Sequence, residues 1–255
     1  MFRKLDVYRG FLLCCFGLLS LAAQANLPSE ELQLQTLQVY TCRSINSLLL
    51  LRGEGFQETH AAQLEKDLAT LDNAVKGYAK SDDALKKAHQ EFVTQIRNGV
   101  SYGPKEEDLP WRYNQDLSRA LRDLLNQVER FVPATADASK IPLWELPVRV
   151  EFLATQYLGR AYMSGLELAR EQPQEYLGQD ESVLVPLLSQ RIDQLPDNDS
   201  TKKLRTRWEY LSKALLDMNS KSNAVVSASG RPWAPIIVDR NARAVSGQLM
   251  QLSQQ

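Results

Sequence analysis

"LEKDLATLDNAVKGY", residues 64–78, sets Leu64, Leu68, Leu71, Val75 and Tyr78 at intervals of four, three, four and three. An α-helix returns to the same face every 3.6 residues and a strand every two, so this spacing predicts a helix with an apolar seam packed along a partner. The same signal recurs on both sides of it. Upstream, a helix is expected from about Ser29 to Arg52, with Leu34, Leu37, Thr41 and Leu48 on one stripe, Ser29 as cap, and "GEG" at 53–55 as its end. Downstream, "KSDD" breaks the pattern, and Ser81 or Asp82 caps a third helix carrying Leu85, Phe92 and Ile96. A fourth begins near "LPWRYNQ", with Pro110 in its first turn and Leu117, Leu121, Leu124, Val128 and Phe131 as its stripe.

"VPATADASKIP", residues 132–142, has no periodicity and is expected to be a linker. Four more helices are predicted beyond it. The fifth spans about Leu143 to Arg170, and the sixth about Ser182 to Leu195. The seventh is capped by Asp199 or Ser200 and carries Leu204, Trp208, Leu211 and Leu215. The eighth follows "RPWAP" and carries Val238, Ala242, Val245, Leu249 and Leu252. The expected fold is all-α: two tandem up-and-down four-helix units, residues 26–131 and 143–255.

The halves are alike in more than helix number. At an offset of 117, Arg43 falls on Arg160, Ser47 on Ser164, Leu49 on Leu166 and Leu71 on Leu188. "NGVSYGPKEEDLPW" and "NAVVSASGRPW" each end a helix, run through a Ser/Gly loop and open the next helix with Pro-Trp. This reads as internal duplication. Leucine positions of two amphipathic halves also align by chance, so the doubled Pro-Trp carries most of the inference.

The first 25 residues read as an export signal. Arg3, Lys4 and Arg9 precede an apolar run from Phe11 to Ala23, and "AQA" follows with small residues where a signal peptidase reads. An uncleaved anchor is the competing reading, but the run is shorter than the ~20 residues a spanning helix needs. The expected location is the periplasm. Of the 30 basic and 31 acidic residues, 3 and 1 lie in this leader, leaving 27 against 30. A weakly acidic chain offers no electrostatic footprint for nucleic acid. Cys14 and Cys15 leave with the leader, so Cys42 stands alone, either as a small buried apolar residue or as a partner in an intermolecular disulfide.

Several chemistries do not fit the residues present. "GVSYG" at 99–103 fits G-x-S-x-G, but a nucleophile elbow needs a strand before Ser101 and a histidine after it, whereas His60 and His89 both precede it. "STKK" at 200–203 fits S-x-x-K without its companion motifs, and Ser200 reads as a helix cap. Two distant histidines and one cysteine give no metal-ligand spacing, so neither metal nor cofactor is expected. The paired features remain. Trp111 and Trp233, each after a proline, read as staples fixing a helix entry or as ligand-stacking surfaces. Arg43 and Arg160 read as exposed cations or as bidentate clamps for a small anion.

"CRSINSLLLLRGEGF" and "LRDLLNQV" resemble segments of the helical sensory module of PilJ-type and nitrate/nitrite-sensing receptors. That resemblance implies a periplasmic helical bundle able to bind small anions. The chain departs from the family's arginine-rich first-helix motif, retaining Arg43 and Arg52 at comparable places. Two functions follow as expectations. One is a non-enzymatic module for a small anionic or amphiphilic ligand or a membrane-bound sensor partner, with Arg43, Arg160, Trp111 and Trp233 as candidate contacts. The other is an adaptor docking an envelope complex through its helix faces.

Overall fold

The computed structural model describes residues 29–133, 141–163, 166, 176–218 and 234–254. Eight α-helices are present among them: α1 Glu30–Gly53, α2 Glu58–Gly77, α3 Asp83–Ser101, α4 Tyr113–Glu129, α5 Leu146–Tyr162, α6 Glu181–Asp193, α7 Asp199–Leu216 and α8 Pro235–Ser253. Short 3-10 turns lie at 106–108, 143–145 and 176–178. The all-α expectation holds, and none of the described helices is long and apolar enough to cross a membrane.

The seam that predicted α2 is its buried face: Leu64, Leu68, Leu71 and Val75 are all within the core. Caps behave as the side-chain chemistry requires. Asp82 accepts from the Leu85 amide at 2.8 Å, and Asp180 accepts from the Ser182 amide at 3.0 Å. The seventh helix is capped one residue earlier than expected, by Asn198, whose side chain accepts from Thr201 N while Thr201 Oγ1 accepts from Asn198 N. Ser200 is therefore a first-turn residue. α1 stops where Gly55 turns to a φ of +85°, which lets Phe56 N donate back to Leu51 O at 2.7 Å. α5 ends at Tyr162, where Met163 leaves helical geometry with φ −137° and ψ 82°; residues 164, 165 and 167–170 of its expected span lie outside the described residues.

Consecutive helices pack on one another (α2 on α3, α3 on α4, α6 on α7, α7 on α8), and α5 also packs on α6 and α8. α1 departs most from its expected form. It has no solvated face to speak of: Leu34, Leu37, Val39, Ile45, Leu48 and Leu49 are fully buried, and so are Gln35, Thr41, Ser44 and Asn46. A helix buried all round must satisfy its polar groups internally. Thr41 and Ser44 donate to carbonyls one turn back, and Gln35 Nε2 reaches Trp144 O at 2.7 Å and Ser253 Oγ at 3.0 Å.

Gln35 thus ties the first half of the chain to the second. Residues from Glu31 onward pack as one compact unit with one continuous core. The two halves are joined more closely than a linker between tandem bundles requires. Residues 134–140 of the expected linker lie outside the described residues; Ile141, just after them, is buried, and its carbonyl accepts from Arg191 Nε at 2.9 Å.

The loop motif at 99–103 has a packing explanation. A Cβ on Gly99 would sit 2.0 Å from the Tyr113 hydroxyl and 3.1 Å from Leu48 Cδ2, and that hydroxyl is held in place by donating to Gln95 O at 2.9 Å. Gly99→Ala is expected to lower unfolding free energy by about 1–3 kcal/mol through overpacking. In a Tyr113→Phe background the same change should cost measurably less, a double-mutant cycle read by urea denaturation.

Candidate functional site

The largest concentration of polar chemistry lies where α1, α2, α5 and α8 meet, inside the protein. Arg43 on α1 donates from Nε to Glu151 Oε1 on α5 at 2.7 Å, and from Nη2 to Ser246 Oγ on α8 at 2.8 Å. Ser246 in turn donates to the same Glu151 oxygen, and Asn46 Nδ2 lies 3.5 Å from the other. One helical turn toward the N-terminus of α8, Arg243 pairs with Asp67 of α2 at 2.9 Å and with Asp239 of its own helix at 2.9 Å. Its Nη2 also reaches Ser47 Oγ at 2.9 Å, and Ser47 donates to Asp67 Oδ2 at 2.6 Å. Gln63 completes Asp67's shell from one turn earlier on α2.

Burial decides how strongly these groups feel one another. Glu151 is fully buried, Asp67 is 2 % exposed and Asp239 6 %. Burial alone would lower the pKa of Arg43, but the charge and hydrogen bond of Glu151 outweigh it and the guanidinium is held more firmly protonated than usual. Arg243 is raised in the same way: burial opposes protonation, and Asp239, Glu151 and Asp67 overcome it. Asp239 moves upward to about 6, chiefly because burial penalises its charge and Glu151 and Asp67 repel it, with Arg243 opposing. Its Oδ1 is buried with no hydrogen-bond partner.

The residues singled out from sequence fall apart spatially. Arg43 is in the cluster, bound to the protein's own carboxylate and hydroxyl. Arg160, its counterpart at offset 117, does something else: it donates to Met218 O at 3.0 Å, just past the end of α7, and lies 3.6 Å from Glu181. Trp111 does not staple its helix. It is 83 % exposed, with the Arg112 guanidinium 5.4 Å from its ring centre, in the turn before α4. Trp233 lies outside the described residues. Trp208 is a core residue donating to Ser189 Oγ at 2.9 Å, and Trp144 is half-buried.

Ser101 closes α3 and is exposed, its hydroxyl donating back to Asn98 O at 2.8 Å. His89 is twelve residues away along the same helix, about 18 Å at 1.5 Å per residue, so no base reaches it from there. His89 is itself buried, and desolvation lowers its pKa. The carbonyls of Gly99 and Gly103 are instead acceptors for Arg52, at 2.7 and 2.9 Å. Cys42 is fully buried and its thiol is pushed well up by desolvation and by Glu151, which keeps it neutral. Among the described residues no group of three His, Cys, Asp or Glu is placed to hold a metal ion.

Sequence reading missed Glu151, Asp67, Asp239, Arg243 and Ser246. Glu151 did leave a signal, a lone carboxylate inside "VRVEFLATQYL", a run otherwise apolar enough to be buried on all sides. Asp239 and Arg243 are an i, i+4 pair on the buried side of α8. No family model matches the chain, and no curated protein or solved structure is similar to it.

Removing Glu151 leaves Arg43 buried without its counter-charge. Glu151→Leu is expected to cost about 3–5 kcal/mol of unfolding free energy, measured by chemical denaturation. Lys76→Ala, which breaks a pair with Asp72 on the surface of α2, should leave the midpoint where it is.

Proposed function

We propose that this chain is an exported, non-enzymatic docking protein of the bacterial envelope, meeting its partner through the loop that carries Trp111. One observation carries the reading: Trp111 stands 83 % exposed, whereas Trp208 is buried and Trp144 half-buried in the core. A tryptophan held away from its own core supplies a large rigid contact area at low entropic cost, and aromatic anchors of this kind dominate binding energy at interfaces. Arg112 over its ring adds a cation to the same contact.

The small-anion reading has less support. Arg43 already donates from Nε and Nη2 to Glu151 and Ser246, and Arg160 from Nη1 to the Met218 carbonyl, so neither stands as an open fork for an anion. Export rests on the leader alone: the basic start, the apolar run and "AQA" before Asn26. Duplication belongs to the same proposal. In each half an arginine of the first helix reaches carbonyls at the end of the third, Arg52 to Gly99 and Gly103, Arg160 to Met218.

A photo-crosslinking residue placed at position 111 should form a discrete adduct with an envelope protein in living cells, and one placed at position 76 should not. Trp111→Ala should abolish the native interaction while leaving the melting temperature unchanged. Equal adducts at both positions would defeat the docking reading, and a melting temperature raised by nitrate or organic acids would favour the small-ligand one. N-terminal sequencing of the chain recovered from the periplasm should begin at Asn26.

A further inference from the structure

Buried charge at the junction of α1, α2, α5 and α8 does not balance. Two guanidinium groups, Arg43 and Arg243, face three carboxylates, Glu151, Asp67 and Asp239. Glu151 and Asp67 each accept from an arginine and a serine, and Asp67 from Gln63 as well. Asp239 has one contact, from Arg243 to Oδ2, while Oδ1 is buried and receives nothing. An ionised carboxylate with one oxygen unsolvated is the costliest member of such a cluster, and a proton on it removes both the surplus charge and the unsatisfied acceptor.

We propose that this cluster is a proton-binding site, that Asp239 takes the proton, and that its occupancy tightens the seating of α8 on α1, α2 and α5. The surroundings of Asp239 are specific. α8 contributes Arg243, α2 contributes Asp67, and α5 contributes Glu151 and the Tyr162 phenol, while Arg43 of α1 faces Glu151 and Arg243. Tyr162 is itself spent on Glu54, to which it donates. From α7 the cation reaching α8 is Arg207, on Gln248, nine residues along from Asp239. Glu145, in the turn packed on α8, is paired with Arg149. No second cation among these is aimed at Oδ1.

The folded protein holds the proton on Asp239 up to about pH 6, above the usual aspartate value of 3.8. Between those values the folded state binds more protons than the unfolded one, so this group adds stability as pH falls from above 6 toward 4. His89 works the other way, because a buried imidazole resists the charge it gains on acidification. Comparing wild type with Asp239→Asn at each pH cancels the His89 contribution.

Thermal unfolding of the purified protein between pH 5 and 7.5 tests the site. Asp239→Asn, a neutral mimic of the protonated acid, should melt about 5 °C above wild type at pH 7.5, and the difference should shrink to about half of that at pH 5, where the unfolded aspartate is still ionised. A constant difference across that range, or a variant less stable at both ends, would overturn the proposal. Should the variant not fold, carbon-13 spectra of wild type labelled at the aspartate carboxyls decide the matter. One carboxyl titrating near pH 6 supports the site; all titrating below about 4.5 removes it. Amide exchange adds the mechanical part: α8 should be better protected at pH 5 than at pH 7.5, relative to α3.

Discussion

The contact between Arg43 and Glu151 is the constraint on which the rest of the architecture rests. Glu151 is fully buried and the Arg43 side chain only 11 % exposed, the two residues are 108 apart in the chain, and Ser246 from a third helix closes the contact. A buried ion pair gives little net stability compared with apolar residues of the same volume, but it is costly to break once formed. Its structural effect is selective: any register of α1 on α5 and α8 that separates the pair leaves a charge stranded in the core. With Arg243 and Asp67 one step further along, the cluster fixes α1, α2, α5 and α8 to one another. That is why the 132–142 interval does not divide the protein into two separately packed bodies.

α1 makes this arrangement possible. Wrapped by neighbours on every side, it carries Gln35, Arg43, Asn46 and Ser47 as well as its leucines into the interior, and each of these four meets a residue from outside its own helix. Helix ends are treated similarly. The terminal carbonyls of α3 would be orphaned, and Arg52 supplies them with charged donors; Arg160 does so beyond α7. The serine-glycine motif at 99–103 is thereby accounted for without chemistry. Gly99 makes room for Tyr113, Gly103 presents a carbonyl to Arg52, and Ser101 faces solvent.

Much of the fold was legible because period and caps are local properties. The four-three spacing of Leu64 through Tyr78 could only bury itself as a helix, and of the two caps offered, Ser81 or Asp82, it is Asp82 that accepts from Leu85. Where the reading went astray, the cause lies beyond local sequence. Thr41 and Leu48 were assigned to one stripe of α1, yet every face of that helix is covered, a matter of how many neighbours surround it. α5 was carried to Arg170 because its periodicity continues, but the backbone turns away at Met163. Of the two readings of Trp111, helix staple or open stacking surface, its exposure excludes the staple.

The sequence by itself determined that the protein is helical, roughly where most of its helices begin, and that no histidine follows Ser101. Hydrophobic period, capping side chains and the placement of glycine and proline act over a few residues, and so can be read from a few residues. Only the tertiary structure decided that Arg43 meets Glu151, that Arg43 and Arg160 have different tasks, and that Asp67, Asp239 and Arg243 share one buried cluster. Coulombic and hydrogen-bond partners are chosen by distance in space after the helices have packed, and no local pattern in the chain encodes which charges will be left together without water.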